Sequence, residues 1–233
     1  MTPTFSFKQF ELSDARCGMK IGTDGVLLGA WARLAPGARR VADIGAGCGL
    51  IALMMAQRYA DVTVDAVEID PGAAADAADN IAASPWPDRI RTVNASFDTL
   101  TGPYDAIVSN PPFFRTGEQA PSEQRARARH SATLAPVSLV RWAANALAPQ
   151  GTLSVITTAE NPDDFEFEAM LVRMYVRRKC MVHTRADRPA MRIMWEFGRT
   201  QGPVETSELY IRDSANHYTP EYIELTKDFY LKL

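Results

Sequence analysis

The 233-residue chain carries 25 Lys and Arg against 28 Asp and Glu, a net charge of −3, and only three cysteines. That length suits one domain burying roughly 70% of its unfolded surface, and the near-neutral charge is not that of an outright nucleic-acid binder. No apolar run approaches the roughly 18 residues of a membrane span and the N-terminus lacks a signal-type apolar core, so a cytoplasmic protein with no membrane partner is expected.

Phe5 to Leu12 alternates aromatic and polar residues, the pattern of one or two short strands in a hairpin or flap. Thr23 or Asp24 can cap a following helix whose Val26, Leu27, Ala30 and Trp31 share a face. Arg39 to Ile44 is a short apolar run that reads as a buried strand, and Leu50 to Tyr59 then takes up helical spacing. A strand over Val62–Val67, a helix over Pro71–Ala83 and strands over Ile90–Asn94 and Tyr104–Ser109 follow. Val137, Val140, Ala144 and Leu147 mark the next helix, ended by a proline-glycine turn into a strand over Thr152–Thr157. A helix near Asp163–Met174 precedes strands over Tyr175–Thr184 and Met191–Gly198. A C-terminal helix carries Tyr222, Leu225, Phe229 and Leu233 on one face, a stripe that reads as core packing. Strands alternating with helices predict an α/β fold with a mostly parallel sheet. Cys17, Cys48 and Cys180 are scattered without a paired framework. The three histidines are too dispersed for a zinc site, so no metal is expected.

The turn Gly45-x-Gly47-x-Gly49 joins strand to helix, where glycines let a backbone approach a ligand closely. A dinucleotide fingerprint would place its third glycine one residue later and rest a diphosphate on the helix N-terminus. Asp43, two residues before the first glycine, would repel a diphosphate but accept hydrogen bonds from an ammonium group. Glu68, at the end of the second strand, is placed to grip ribose hydroxyls. Together these point to S-adenosyl-L-methionine.

Ser109 is followed by Asn110-Pro111-Pro112-Phe113. Two prolines remove two backbone donors and leave carbonyls that can only accept, which suits an amino group that must give its hydrogens away. Asn110 and the Pro111 carbonyl are the acceptors, and Phe113 can stack on a base.

Charge is unevenly spread. Residues 1–110 hold 9 basic against 13 acidic residues, 111–199 hold 13 against 9, and 200–233 hold 3 against 6. The basic excess lies downstream of Asn110, where a phosphate backbone would lie if a base entered that loop. Arg115, Arg125, Arg127, Arg129 and His130 fall in a stretch with little apolar periodicity, read as a substrate loop. Arg177, Arg178 and Lys179 are further candidate RNA contacts.

The D-x-G-x-G-x-G turn followed by Glu68 resembles the class I S-adenosylmethionine-dependent methyltransferases, and N-P-P-F resembles the motif of amino-group methyltransferases within them. The stretches KIGTDGVLLGAW and YTPEYIELTKDFYL narrow the resemblance to bacterial tRNA1(Val) adenine-37 N6-methyltransferases. It spans Phe5 to Leu231. It implies a Rossmann-like domain over 1–233, with residues 1–38 as flap and helix and 39–233 as the cofactor-binding and catalytic core. The implied sheet is seven-stranded and mostly parallel with an antiparallel last strand. It also implies Asn110, Pro111, Pro112 and Phe113 as catalytic residues. Asp43, Gly45, Gly47, Gly49, Glu68 and Ile69 would hold the cofactor. Lys20, Thr23 and Asp24 lie in the segment that closes over its methionine end in such enzymes. Ser96 stands near the position from which an acid often reads the adenine amine, and Asp98 two residues on. The implied partner is a tRNA anticodon stem-loop, met by a monomer.

Three rivals share part of this pattern. A guanine-N2 methyltransferase of ribosomal RNA carries the same loop, but on a longer chain. A release-factor glutamine methyltransferase usually ends the loop in Tyr where Phe113 stands. Against the third, a cofactor-binding interaction protein without activity, stands an intact Asn110 beside a complete glycine turn.

Overall fold

The computed structural model describes residues 4–112, 136–160 and 162–232. Phe113, Arg115, Arg125, Arg127, Arg129 and His130 lie outside the described residues. The N-terminal hairpin pairs β1 (Thr4–Ser6) with β2 (Glu11–Ser13). Phe7, just past β1, forms a bridge with Tyr230, and Lys8 N donates to Phe229 O at 2.8 Å. Helix α1 (Thr23–Trp31) follows.

The strand ends expected at the cleft are met within a residue or so. β3 (Arg40–Ile44), β4 (Thr63–Val67) and β6 (Tyr104–Ser109) are apolar runs buried on both faces, and β5 (Ile90–Val93) is the outer strand of this half. Burial on both faces follows from helices lying on both sides. On one side pack α1, α2 (Leu50–Arg58), α3 (Pro71–Ala82) and α6 (Pro220–Thr226), around Leu27, Leu53, Ala77 and Tyr222. On the other pack α4 (Pro136–Ala146) and α5 (Pro162–Leu171), around Leu139, Ala143, Phe165 and Trp195.

The sheet order is β10-β8-β9-β7-β6-β3-β4-β5. Here β7 is Leu147–Thr158, β8 Tyr175–Arg185, β9 Ala190–Gly198 and β10 Glu205–Arg212. The chain steps outward from β3 to β5, then returns to the other side of β3 with β6. The order therefore reverses between β3 and β6, which is where an open α/β sheet forms its ligand crevice.

The sheet has eight strands among the described residues, not the seven expected. β9 runs antiparallel to β7 and β8 as anticipated, and β10 adds a parallel edge beside β8. Residues Glu205–Glu208 of β10 are all exposed, so this edge strand lacks the apolar run that would have announced it. Leu147 belongs to β7 rather than to the helix before it, and the β6–β7 register shifts from Tyr104–Leu147 to Ala106–Thr152. The buried stripe of α4 is accordingly Leu139, Val140, Ala143 and Ala146. At the C-terminal end, α6 covers only two turns, capped by the Thr219 hydroxyl accepting from Tyr222 N at 3.2 Å. Tyr222 and Phe229 are buried in the core as expected of that stripe.

Candidate active site

The carboxyl ends of β3, β4 and β6 open into a cleft with a cavity volume of about 270 Å³. Its floor and one wall are the glycine turn with Glu68, Ile69 and Ser96; Asn110 and Pro112 lie at the β6 end. A second wall is Arg16–Gly22, in the segment between β2 and α1.

Gly45, Gly47 and Gly49 all have left-handed backbone, with φ of 70°, 55° and 86°. A side chain would strain each position. Gly45 N and Ala46 N both donate to Val67 O, at 2.9 and 3.0 Å, which pins the start of the turn to the end of β4. Gly47 faces open space and lines the cleft, whereas Gly49 is packed against α3 beside Ala77 and is not on the wall.

Glu68 is fixed by the backbone. Its Oε2 accepts from Gly47 N and its Oε1 from Asp70 N, each at 2.9 Å. Each carboxylate oxygen retains a further lone pair for a ligand hydroxyl. Asn94 Nδ2 supports the same corner by donating to the carbonyls of Glu68 and Ile69, at 2.8 and 3.1 Å.

Asp43 lies beneath the turn and not on the cleft wall; it is 1% exposed. Its Oδ2 accepts from Ala52 N at 2.9 Å. That N–H belongs to the first turn of α2, whose Gly49 cap has no side chain to satisfy it, so Asp43 caps the helix from the neighbouring strand. The other oxygen, Oδ1, is buried with no hydrogen-bond partner among the described residues. Burial pushes this carboxyl up to about 7; the Ala52 bond acts downward and the Glu68 charge upward.

Asn110 repeats this feature just past the end of the neighbouring strand, β6. Its Oδ1 is buried and has no partner among the described residues. Its Nδ2 lies beside Gly25 of α1, where an added Cβ would come within 3.8 Å of the amide and 3.0 Å of Leu50. Pro111 is buried behind the wall that Pro112 lines.

A family model described as "Methyltransferase small domain" matches residues 26–179. A tRNA1(Val) (adenine(37)-N6)-methyltransferase from Aeromonas hydrophila is 42% identical over 231 residues, covering 98% of each chain. Another of that name, from Tolumonas auensis, is 39% identical over 232 residues, covering 99% of this chain and 98% of its own. The chain belongs to this family. Among solved structures, a predicted O-methyltransferase from Agrobacterium tumefaciens matches with a TM-score of 0.65 at 20% identity, covering 88% of this chain and 96% of its own. A putative RNA methyltransferase from Pyrococcus horikoshii matches at 0.52 and 16%, covering 70% and 76%. Both likenesses concern the fold, which is the Rossmann-like methyltransferase fold expected from the sequence.

Within this methyltransferase the residues singled out by sequence divide into three groups. Lys20, Gly45, Gly47, Glu68, Ile69, Ser96, Asn110 and Pro112 meet on one cleft. Thr23, Asp24, Asp43, Gly49 and Pro111 stand off its wall; α1 is capped at Gly22 without any side-chain bond, and Asp24 pairs instead with Arg192 at 2.8 Å. Asp98 is likewise off the wall, while its neighbour Phe97 is on it. Among the basic candidates, Arg177 is exposed on β8. Arg178 is 4% exposed: it bonds Glu196 at 2.8 Å and the Trp31 carbonyl at 3.0 Å and stacks on the Trp31 ring. Arg178 is therefore a strut between α1 and the sheet, enclosed rather than presented at the surface. Lys179 is half-buried, 3.8 Å from Glu166. Arg16, Cys17 and Gly18 were not among the candidate site residues although they line one wall beside Met19, Lys20 and Ile21. Among the described residues no helix is long and apolar enough to cross a membrane, and no cluster of three or more His, Cys, Asp or Glu side chains is arranged to hold a metal.

Proposed function

We propose that this chain transfers a methyl group from S-adenosyl-L-methionine to the exocyclic N6 amine of adenine 37 in tRNA1(Val). The carrying observation is Asn110 Oδ1, a buried acceptor at the cleft with no partner among the described residues. A buried polar atom left unsatisfied costs about 1–3 kcal/mol, so its neighbourhood favours an incoming donor. An exocyclic amine is such a donor.

The cofactor's chemistry fits what lines and underlies the cleft. Asp43 Oδ1, the second orphaned acceptor, lies under the glycine turn and suits an ammonium group. Glu68, held rigid by Gly47 N and Asp70 N, offers lone pairs to a pair of ribose hydroxyls. When bound, S-adenosylmethionine supplies an electrophilic methyl group on a sulfonium sulfur. Asn110 Oδ1 and the Pro111 carbonyl would accept hydrogen bonds from the amine, turning the nitrogen lone pair toward that methyl, and the one proton the amine gives up on methylation would pass to solvent. From its place in the N-P-P-F motif, Phe113 would stack on the adenine, a contact worth roughly 1–3 kcal/mol that offsets much of the cost of unstacking the base. The catalytic contribution of these residues is positioning, with no covalent intermediate on the protein. An unpaired purine beside the anticodon can splay out to be read on its edge.

The test incubates the protein and its Asn110→Ala variant with methyl-labelled S-adenosylmethionine and unmodified bulk tRNA, then digests to nucleosides. Label in N6-methyladenosine, lost in the variant while cofactor binding persists, is the expected result. Label in N2-methylguanosine, or turnover retained by the variant, would refute the assignment.

A further inference from the structure

The two walls of the cleft come from distant parts of the sequence, yet both are bonded to one face of α3. Asn80, 6% exposed, accepts from Ser13 N at 2.9 Å through its Oδ1. Its Nδ2 donates to Ser13 O at 2.8 Å and to Cys48 O at 2.9 Å. One side-chain amide thus joins the root of the Arg16–Gly22 wall to the glycine turn. Both its donors and its acceptor are committed to that link.

Asp76 stands one helical turn before Asn80, on the same face of the helix. It is 2% exposed, and its Oδ2 accepts from Arg16 N at 2.7 Å and Cys17 N at 3.1 Å. Its Oδ1 accepts from Arg16 Nε, also at 2.7 Å. Burial acts to raise this carboxyl, and the Arg16 side chain and backbone more than offset it, leaving it below the ordinary carboxylate range. The charge is therefore kept for the wall. Neither Asn80 nor Asp76 lines the cleft.

We infer that Asn80 and Asp76 are positioning residues that set the separation of the two cleft walls, and so the affinity for cofactor. The inference rests on reading the cleft as the S-adenosylmethionine site. Asn80 joins Ser13, at the root of the first wall, to the glycine turn and so carries the spacing; Asp76 holds the first wall against α3. A wall free to drift would weaken cofactor binding by loss of preorganisation, while leaving Asn110 and the acceptor side in place.

In Asn80→Asp the acceptor for Ser13 N survives, but a carboxylate oxygen now opposes the carbonyls of Ser13 and Cys48. The expected result is a rise of about tenfold or more in the S-adenosylmethionine dissociation constant by calorimetry, matched by its KM. kcat at saturating cofactor should stay within about threefold and KM for tRNA should not move. Asp76→Asn, a milder change should the first variant fail to fold, is expected to act in the same direction. A folded variant with cofactor affinity within twofold of wild type, or one that loses kcat with KM for cofactor unchanged, would overturn the inference.

Hydrogen exchange on the full chain without cofactor gives a second, separate readout. Amides of residues 14–22 and 46–48 should lose protection together in Asn80→Asp. Loss on one wall only would overturn the coupling. Failure of the wild-type protein to bind S-adenosylmethionine would instead refute the reading of the cleft, and the exchange pattern would still decide whether Asn80 couples its walls.

Discussion

The Ser109 hydroxyl donates a 2.7 Å hydrogen bond to the Ile44 carbonyl, tying the last residue of β6 to the last residue of β3. The glycine turn begins one residue after Ile44 and Asn110 follows Ser109 directly. The two halves of the candidate active site therefore spring from a single edge, where the Ser109 bond extends the β3–β6 ladder by one buried side-chain contact. Ser109→Ala should cost about 0.5–1.5 kcal/mol of stability. It should lower kcat by about tenfold or more through misplacement of Asn110, with little change in cofactor affinity. Thermal unfolding and steady-state kinetics on the same preparation check both parts; unchanged kcat would show that the ladder alone fixes the edge.

Glu68→Ala removes a charge-assisted acceptor worth roughly 1.5–3 kcal/mol, or about ten- to a hundredfold in affinity. The loss should appear in cofactor titration by calorimetry, with KM for tRNA nearly unmoved. Equal affinity of variant and wild type would remove Glu68 from the cofactor site.

Asp43 gives a pH dependence whose sign is unusual for a carboxylate. Its folded value near 7 lies above the ordinary 3.8, so between about pH 4 and 7 the folded state keeps a proton that the unfolded state has released. Stability from this group falls as pH rises through that window and is level above it. Asp43→Asn abolishes the titration. The melting temperature of the variant minus that of wild type should therefore climb from pH 5 to pH 8, by roughly 2–4 °C per kcal/mol. Parallel curves would disprove the assignment. Saturating cofactor should flatten the wild-type curve, because a cation at Oδ1 favours the charged carboxylate.

Cys17 and Cys48 both line the cleft and both are buried. A hydrogen bond to the Cys48 thiol, burial and the Cys48 charge push the Cys17 thiol well above its ordinary range. Thiolate is the reactive form. Iodoacetamide at pH 7.5 should therefore leave Cys17 unmodified in the native protein and alkylate it fully after denaturation, as mass spectrometry of peptides would show. Rapid native alkylation would contradict this environment.

How far the site was legible in the sequence follows from how local its causes are. The strand ends at Ile44, Val67 and Ser109, the left-handed glycines and the acceptor loop after Ser109 all announce themselves within a few residues. Arg16–Met19 does not, because the segment becomes a wall only through Asp76 and Asn80, some sixty residues on. Arg178 misleads for the same reason. In sequence it sits in an exposed-looking Arg-Arg-Lys run; in the fold Glu196 and the Trp31 ring enclose it. β10 carries so little apolar pattern that its place beside β8 is set by the sheet edge rather than by its own residues.

The bond from Lys8 to Lys227 O and the bridge from Phe7 to Tyr230 span intervals of more than two hundred residues, 219 in the first case. They steady the hairpin that leads into the Arg16–Gly22 wall. At about 5–20 residues per second of synthesis, that interval takes roughly ten to forty seconds. The hairpin that leads into the first part of the cleft to leave the ribosome is thus backed by partners near Phe229 that are among the last residues to be made.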